Sequence, residues 1–410
     1  MIEGAGLRSV HRARSVTRAA FIALGASIPI SSALDNTLLV LILVSWLVAA
    51  RWNEMARVVT TNPYAVLAYV WLLVHAAAAT YIIGDTNDIA RSVRKASLFL
   101  IVPIAFTVMQ DARDRTRALY AFLAAIALTV LLSTLRWSGF IEPDVPWLKS
   151  ASFSSSVVFK YHLTQNLLVA FGALAFAIYA RIVSSRRVRW LFTALATLCA
   201  INVDFLGDGR SGQVVLFVLI VFYGAWWGGR RGALIGFAAA LALAAVAYVT
   251  PGSTLHKRST LVVDETAAWQ AGERRRVSSI GERLEFYENS LRIIAKHPIA
   301  GVGSGGFPAA YEQEVTPRGL AATRNPHNEY LLKAVEFGIP GLFLLLALFW
   351  TVWRVAGGVP ASHERAIARG AVITIAVASA VSSTLSDHTE GLLFVWATAM
   401  LCAGYRPKRT

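Results

Sequence analysis

Acidic charge is scarce in this sequence. Its 410 residues hold 24 Asp and Glu against 39 Lys and Arg, and charged residues make up only 15% of the chain, where soluble domains carry about a quarter. That shortage excludes an ordinary water-facing surface. Cysteine is nearly absent: Cys199 and Cys402 both fall in apolar runs, which rules out a disulfide framework and cysteine-based metal spacing. No P-loop, D-x-D or H-E-x-x-H occurs, so nucleotide-driven transport, metal–nucleotide transfer and zinc hydrolysis lose support. The apolar runs hold few charges, which weakens ion-coupled transport.

What remains is apolar. Hydrophobic residues make up 56% of the chain, the mean hydropathy is +0.54, and apolar runs of about 18 residues recur. The expectation is an all-α polytopic membrane protein of about twelve transmembrane helices, near 18–33, 36–50, 63–83, 96–110, 118–135, 163–180, 188–206, 213–228, 232–250, 329–353, 366–385 and 390–405. Residues 1–250 then hold spans 1–9, residues 251–328 form a polar insert with an amphipathic helix, and residues 329–410 hold spans 10–12. The net charge of +15 belongs to loops on the anionic cytoplasmic face, not to a nucleic-acid site. With the N-terminus inside, Lys and Arg weight the inner segments about threefold over the short outer ones. Both termini are then cytoplasmic, and the insert, Gly207–Gly212 and Ser386–Gly391 share the outer face. Arg91, Arg94 and Lys95 run against this count. Residues 1–33 imitate a cleavable leader ending at Ser31-Ser-Ala33; an uncleaved first span is the expectation.

Titratable and turn residues gather in the stretch 283–328. Ile280, Leu284, Tyr287, Leu291 and Ile294 fall at helical spacing, with Glu282, Arg283, Glu285, Glu288, Asn289 and Arg292 off that stripe. Pro298 ends the helix. Arg283 either serves a site or pairs with a nearby glutamate on a solvated face. Gly301, Gly303 and Gly306 fit G-x-G-x-x-G, but the dinucleotide fingerprint needs a strand before it and a helix after it. Here a helix and Pro298 precede it and Phe307-Pro308 follows, so the stretch reads as a tight turn. Asn325 suits an N-cap and Pro326 the first helical position, which puts His327 in the first turn of the tenth span. The positive helix end favours a neutral imidazole, the form a general base needs; the plainer reading is an interfacial hydrogen-bonder. In Gly207-Asp-Gly-Arg-Ser-Gly212, Arg210 beside a helix N-terminus makes an anion site, unless Asp208 pairs with it.

Arg210-Ser-Gly212, Arg283 on a helix, Pro298-x-x-Gly301-x-Gly303-x-x-Gly306-Phe307, His327-Asn328-x-Tyr330 and Gly338-x-x-Gly341 together resemble the O-antigen ligase family. O-antigen polymerases and bacterial protein O-oligosaccharyltransferases share that signature. The resemblance covers about 207–341; the first 160 residues match in hydropathy alone. Relatives often carry Trp after the helix arginine, where this chain has Phe286-Tyr287. The resemblance implies a GT-C-like fold in the inner membrane of a Gram-negative bacterium, with a periplasmic site. It implies metal-free, inverting transfer of O-antigen from undecaprenyl pyrophosphate to a sugar hydroxyl of lipid A–core, with no cofactor. Arg210 and Arg283 would hold the donor pyrophosphate and His327 would act as base. Asn328, Asp387, Lys160, His162 and Gln165 are supporting candidates, Asp387 for orienting the base or binding acceptor, and the last three for the donor. A polymerase using the same donor is the second reading. A lipid-glycan flippase is the reading from another class; it should place polar residues at mid-membrane, whereas these gather at one face.

Overall fold

The computed structural model describes residues 2–49, 52–81, 84–141, 145, 156–207, 209–250, 253, 255–256 and 279–406. The described residues are helical throughout, with no strand among them. In chain order the helices are α1 (Ile2–Ser27), α2 (Ser32–Val48), α3 (Trp52–Thr61), α4 (Pro63–Ala78), α5 (Thr86–Ala96), α6 (Ile101–Val108), α7 (Ala112–Trp137), α8 (His162–Ile182), α9 (Arg186–Ile201), α10 (Arg210–Val249), α11 (Ser279–Lys296), α12 (Phe307–Val315), α13 (Glu329–Gly357), α14 (Ser362–Ser379) and α15 (His388–Cys402). Polar side chains cap the starts of α2, α4, α5, α7 and α13. Asn62 Oδ1 accepts from Tyr64 N–H at 2.9 Å, with Pro63 in the first turn. Asp111 Oδ1 accepts from Arg113 N–H at 2.8 Å. Both satisfy donors that an α-helix leaves unpaired.

The expected spans overlap helical residues, with 213–228 and 232–250 both inside α10, but among the described residues they do not amount to twelve spanning helices. Among the described residues five helices are long and apolar enough to cross a membrane, or six if α2 and α3, bent by 113°, count as one. The described structure is thus that of a helical, polytopic membrane protein. One of the five, Ser211–Val249, doubles back on itself. Gly228 and Gly229 leave helical geometry, Gly229 at φ 57°, and a Cβ on Gly224 would collide with the Gly232 backbone, or one on Gly236 with that of Ile220. In a straight helix those residues lie whole turns apart, so the two halves form an antiparallel hairpin. Glycine on both faces is what lets the backbones touch, as small residues do between helices in lipid.

The core lies around α15, which is apolar all round and buried along its length, the pattern of a helix enclosed by others. Trp396 is fully buried, donates Nε1–H to Phe21 O at 3.0 Å and lies tilted against Phe122 with ring centroids 5.7 Å apart. A Cβ on Gly25 would collide with this indole, so α1 carries glycine where the ring passes.

A second, smaller core sits beneath the polar end. Phe286, Ile293 and Ile294 of α11 pack with Val302, Phe307, Tyr311, Leu332 and Val335. The buried face of α11 is rotated from the expected stripe. Leu291 is 57% exposed, while Asn289 and Ser290 are buried; the side chain of Ile280 lies outside the described residues. The reason is that α11 packs on both α12 and α13, so its buried arc includes Asn289, whose Nδ2 donates to the Tyr311 hydroxyl at 3.0 Å. A polar partner on α12 moves a polar residue inward, which apolar periodicity does not register.

Candidate active site

The glycine turn and a break in α13 form one unit. Gly338 has φ 69°, which interrupts α13 two residues before Pro340. Across the gap, Val302 N–H and Gly303 N–H donate to Val335 O and Glu336 O, both at 2.9 Å, and Ile339 N–H donates to Pro298 O at 2.8 Å. Side chains are excluded on both sides: a Cβ on Gly301 would meet the Glu336–Phe337 peptide, and one on Gly338 would meet Ile299 O. The turn also donates Gly305 N–H to Glu336 Oε1 at 2.9 Å and Ser304 N–H to Ala78 O at 3.1 Å. Its role is to anchor α11 to a broken span, where freed backbone groups need partners.

That anchor sets α11 over His327. The Phe286 ring stacks on the imidazole, with centroids 6.1 Å apart and planes 27° apart. The Tyr287 hydroxyl donates to His327 O at 3.4 Å and to Ala380 O at 3.3 Å. Arg283, one turn earlier on the same face, is half-buried and has no carboxylate partner among the described residues. Its charge acts on His327. Burial, and then the Arg283 charge, holds the imidazole below its ordinary pKa; Glu282 opposes them. The surface-pair reading of Arg283 therefore finds no partner among the described residues, and the neutral imidazole is favoured by burial before any helix-end effect.

His327 does not sit in the first turn of a helix. The N-cap of α13 is Asn328, whose Oδ1 accepts from Leu331 N–H at 3.0 Å. Asn325 instead closes a turn: its Oδ1 accepts from His327 N–H at 2.9 Å and from the Ser383 hydroxyl at 2.6 Å. His327 is thereby held at φ 53°, alone among the described non-glycine residues in having positive φ. That conformation costs of order 1–3 kcal/mol and persists only when neighbours over-determine it. Asn328 Nδ2 donates to Ala380 O at 3.0 Å, and Tyr330 donates its hydroxyl to Ala376 O at 2.7 Å. Ser386 donates N–H and Oγ–H to Glu329 at 3.0 and 2.6 Å. Together these bonds fasten the histidine loop to the loop before α15. The sequence points to Asn325 as the cap; packing against residues 380–386 turns Asn325 to Ser383 and leaves the cap to Asn328.

The structure brings Arg283, His327 and Asn328 together. Asp387 lies at the N-terminus of α15, where burial and the neighbouring Glu390 push its carboxyl up to about 7 against the pull of Lys95. Its interactions are with Glu390, Lys95 and Glu329, which makes it a neighbour of the histidine loop and not an orienting partner of the ring. Arg210 begins α10; its side chain, like Asp208, lies outside the described residues. The turn before it is pinned by Asn166, a buried residue that sequence reading passed over: Nδ2 donates to Gly209 O at 3.2 Å, and a Cβ on Gly207, Gly209 or Gly212 would collide with this side chain. Three glycines in six residues are the sequence trace of that contact.

Lys160, His162 and Gln165 sit elsewhere at this end. Lys160 Nζ is buried, donating to Ser32 Oγ at 2.8 Å beside Asp35 at 3.4 Å. Gln165 is consumed in holding the preceding loop, accepting from Val158 N–H at 2.9 Å and donating to Ser156 O at 3.2 Å. His162 opens α8 with its ring 4.1 Å from that of Tyr161. Their described partners belong to α2, α7, α15 and the adjoining loop. No group of three His, Cys, Asp or Glu among the described residues is placed to hold a metal ion.

The matched stretch can now be set on this geometry. Residues 198–346 match the family described as O-antigen ligase. That family is shared by ligases, polymerases and O-oligosaccharyltransferases, and the stretch runs from the Arg210 turn through α11, the glycine turn and His327 to the break at Gly338. The O-antigen ligase resemblance seen in the motifs is therefore upheld over the same region. An uncharacterized protein of Haemophilus influenzae is 26% identical over 170 residues, 39% of this chain and 42% of that one. The chain thus matches less than half of that relative's length. Among solved structures, the chain is similar to one from "Structural coordination of polymerization and crosslinking by a peptidoglycan synthase complex". The TM-score is 0.48 and the identity 16%, over 83% of this chain and 96% of that chain.

Proposed function

We propose that this protein is an O-antigen ligase, an inverting, metal-independent glycosyltransferase of the inner membrane working on the periplasmic face. Its donor is O-antigen on undecaprenyl pyrophosphate, and its acceptor is a sugar hydroxyl of lipid A–core. The observation that carries the reading is α11 laying Arg283 and Phe286 over a strained His327 whose neutral form is favoured. A neutral imidazole takes the proton of the acceptor hydroxyl as its oxygen attacks the anomeric carbon. The bond from that carbon to the pyrophosphate oxygen breaks, and undecaprenyl pyrophosphate departs as an anion. Charge develops on that leaving group, so the site needs fixed positive charge there. Arg283, unpaired by any described carboxylate, and Arg210 at a helix start supply planar donors for phosphate. Asp387, across the loop from the histidine, is assigned to the acceptor side.

The test is incubation of purified protein with lipid-linked glycan and lipid A–core, with and without chelator. Glycan on core, undiminished by chelator, is the expected result. Longer lipid-linked glycan alone would make the protein a polymerase, and loss of activity restored by added Mg²⁺ would remove the arginine mechanism.

A further inference from the structure

At the end of the bundle away from the Arg210 turn, helices α9 and the first half of α10 both pack on α8 and make little contact with each other. The gap is a cavity of about 460 Å³. Its floor is small and apolar, with Ala173, Ala177 and Ala180 of α8. Thr193 and Thr197 on its wall return their hydroxyls to Arg189 O and Thr193 O at 2.9 and 3.0 Å, so the wall presents methyl groups. Its mouth is different, for Arg181 and Arg189 line it. No carboxylate among the described residues pairs with either, nor with Arg186 or Arg187 beside them. These arginines crowd the start of α9, whose first turn holds no acidic residue, and the positive helix end makes such a cluster unfavourable without an anion. Trp227, under the Arg181 guanidinium at 4.8 Å, is 54% exposed, and Trp190 is 64% exposed. Exposed tryptophan marks headgroup depth.

We infer that this groove binds an anionic phospholipid of the surrounding membrane, with an acyl chain along α8 and the phosphate held by Arg181 and Arg189. A basic pocket between spanning helices recognises acidic headgroups in this way. A neutral lipid would fill the apolar floor and leave the arginine cluster uncompensated, which is why the occupant is acidic. The site is independent of glycan transfer.

Native mass spectrometry of the purified protein in mixed micelles, with equal phosphatidylglycerol and phosphatidylcholine of matched chains, tests it. Two arginines at about one kcal/mol each convert to roughly a thirtyfold preference for phosphatidylglycerol in the wild type. The double variant Arg181→Ala, Arg189→Ala should lose that preference. Ala177→Phe, which fills the floor, should lower occupancy by either lipid, with thermal unfolding as the check on folding. The control Arg230→Ala, Arg231→Ala changes basic residues at the same end but outside the groove, and should keep the preference. Absence of preference in the wild type, or equal loss in the control, overturns the site. So does displacement of the phospholipid by an undecaprenyl phosphate that shows the same arginine dependence, because the groove would then belong to the donor's tail.

Discussion

The Phe286 and His327 rings lie stacked with centroids 6.1 Å apart, one on the insert helix and the other on the loop that leads into the broken span. The contact covers one face of the imidazole, and Arg283 adds its charge from the same helix. Both effects act against protonation. Transfer rate should therefore be lost on acidification only as pH falls through a His327 pKa below 6.5. Arg283→Gln removes one of the depressing causes, so the acid limb of the pH–rate profile should move to higher pH. Glu282→Gln should move it lower. Arg283→Lys keeps the limb in place but should cost about 2–4 kcal/mol of transition-state stabilisation, because the planar fork is gone. An acid limb that ignores both Arg283→Gln and Glu282→Gln would assign the titration to another group.

His327 at φ 53° stores strain that a glycine does not feel. His327→Gly should raise stability over His327→Ala by about 1 kcal/mol. Both variants should transfer about 10²–10⁴-fold more slowly than wild type while still binding donor, as expected when a positioned base is removed. Thermal unfolding and donor binding on the same samples check this. Equal stability of the two variants would mean the loop relaxes out of the left-handed conformation.

Gly338 and Gly319 share positive φ, at 69° and 64°, but only Gly338 meets backbone from another segment. Gly319→Ala should cost about 1–2 kcal/mol, the conformational penalty alone. Gly338→Ala should cost more, by about 1–3 kcal/mol, because overpacking adds to it. It should also lower transfer by loosening the turn that anchors α11. Thermal unfolding of both variants in one detergent checks the ranking; equal losses would mean that neither the ψ of -169° at Gly338, against 26° at Gly319, nor its backbone contact adds a cost.

Lys333 lies buried between Glu336 at 2.7 Å and Glu329 at 3.7 Å. Lys333→Met leaves two buried carboxylates without their cation and should destabilise by about 3–5 kcal/mol. Adding Glu329→Gln and Glu336→Gln to it should recover much of that loss, since uncompensated charge and not lost packing is the cause. Failure to recover in the triple variant would assign the effect to the Lys333 contacts with Trp71 and Phe337.

Local chemistry was enough to read much of this protein from its sequence. Apolar runs and the weighting of Lys and Arg between them place helices and turns, because a membrane imposes length and internal hydrogen bonding on any span. The motif residues Arg283, Gly301, His327 and Gly338 were legible as a group. Their mutual placement was not. Periodicity put Asn289 outside, and Tyr311, 22 residues later, brought it in. Capping rules pointed to Asn325, and contacts with Ser383 and Ala380, more than 50 residues on, give Asn325 a turn and Asn328 the cap. Gln165 and Lys160 read as candidates for donor binding, and the packed structure engages them with Ser156, Val158, Ser32 and Asp35. In each case the deciding group is distant in the chain. A polar side chain's role depends on which donor or acceptor it meets inside a low-dielectric bundle, and only the packed structure settles that partner.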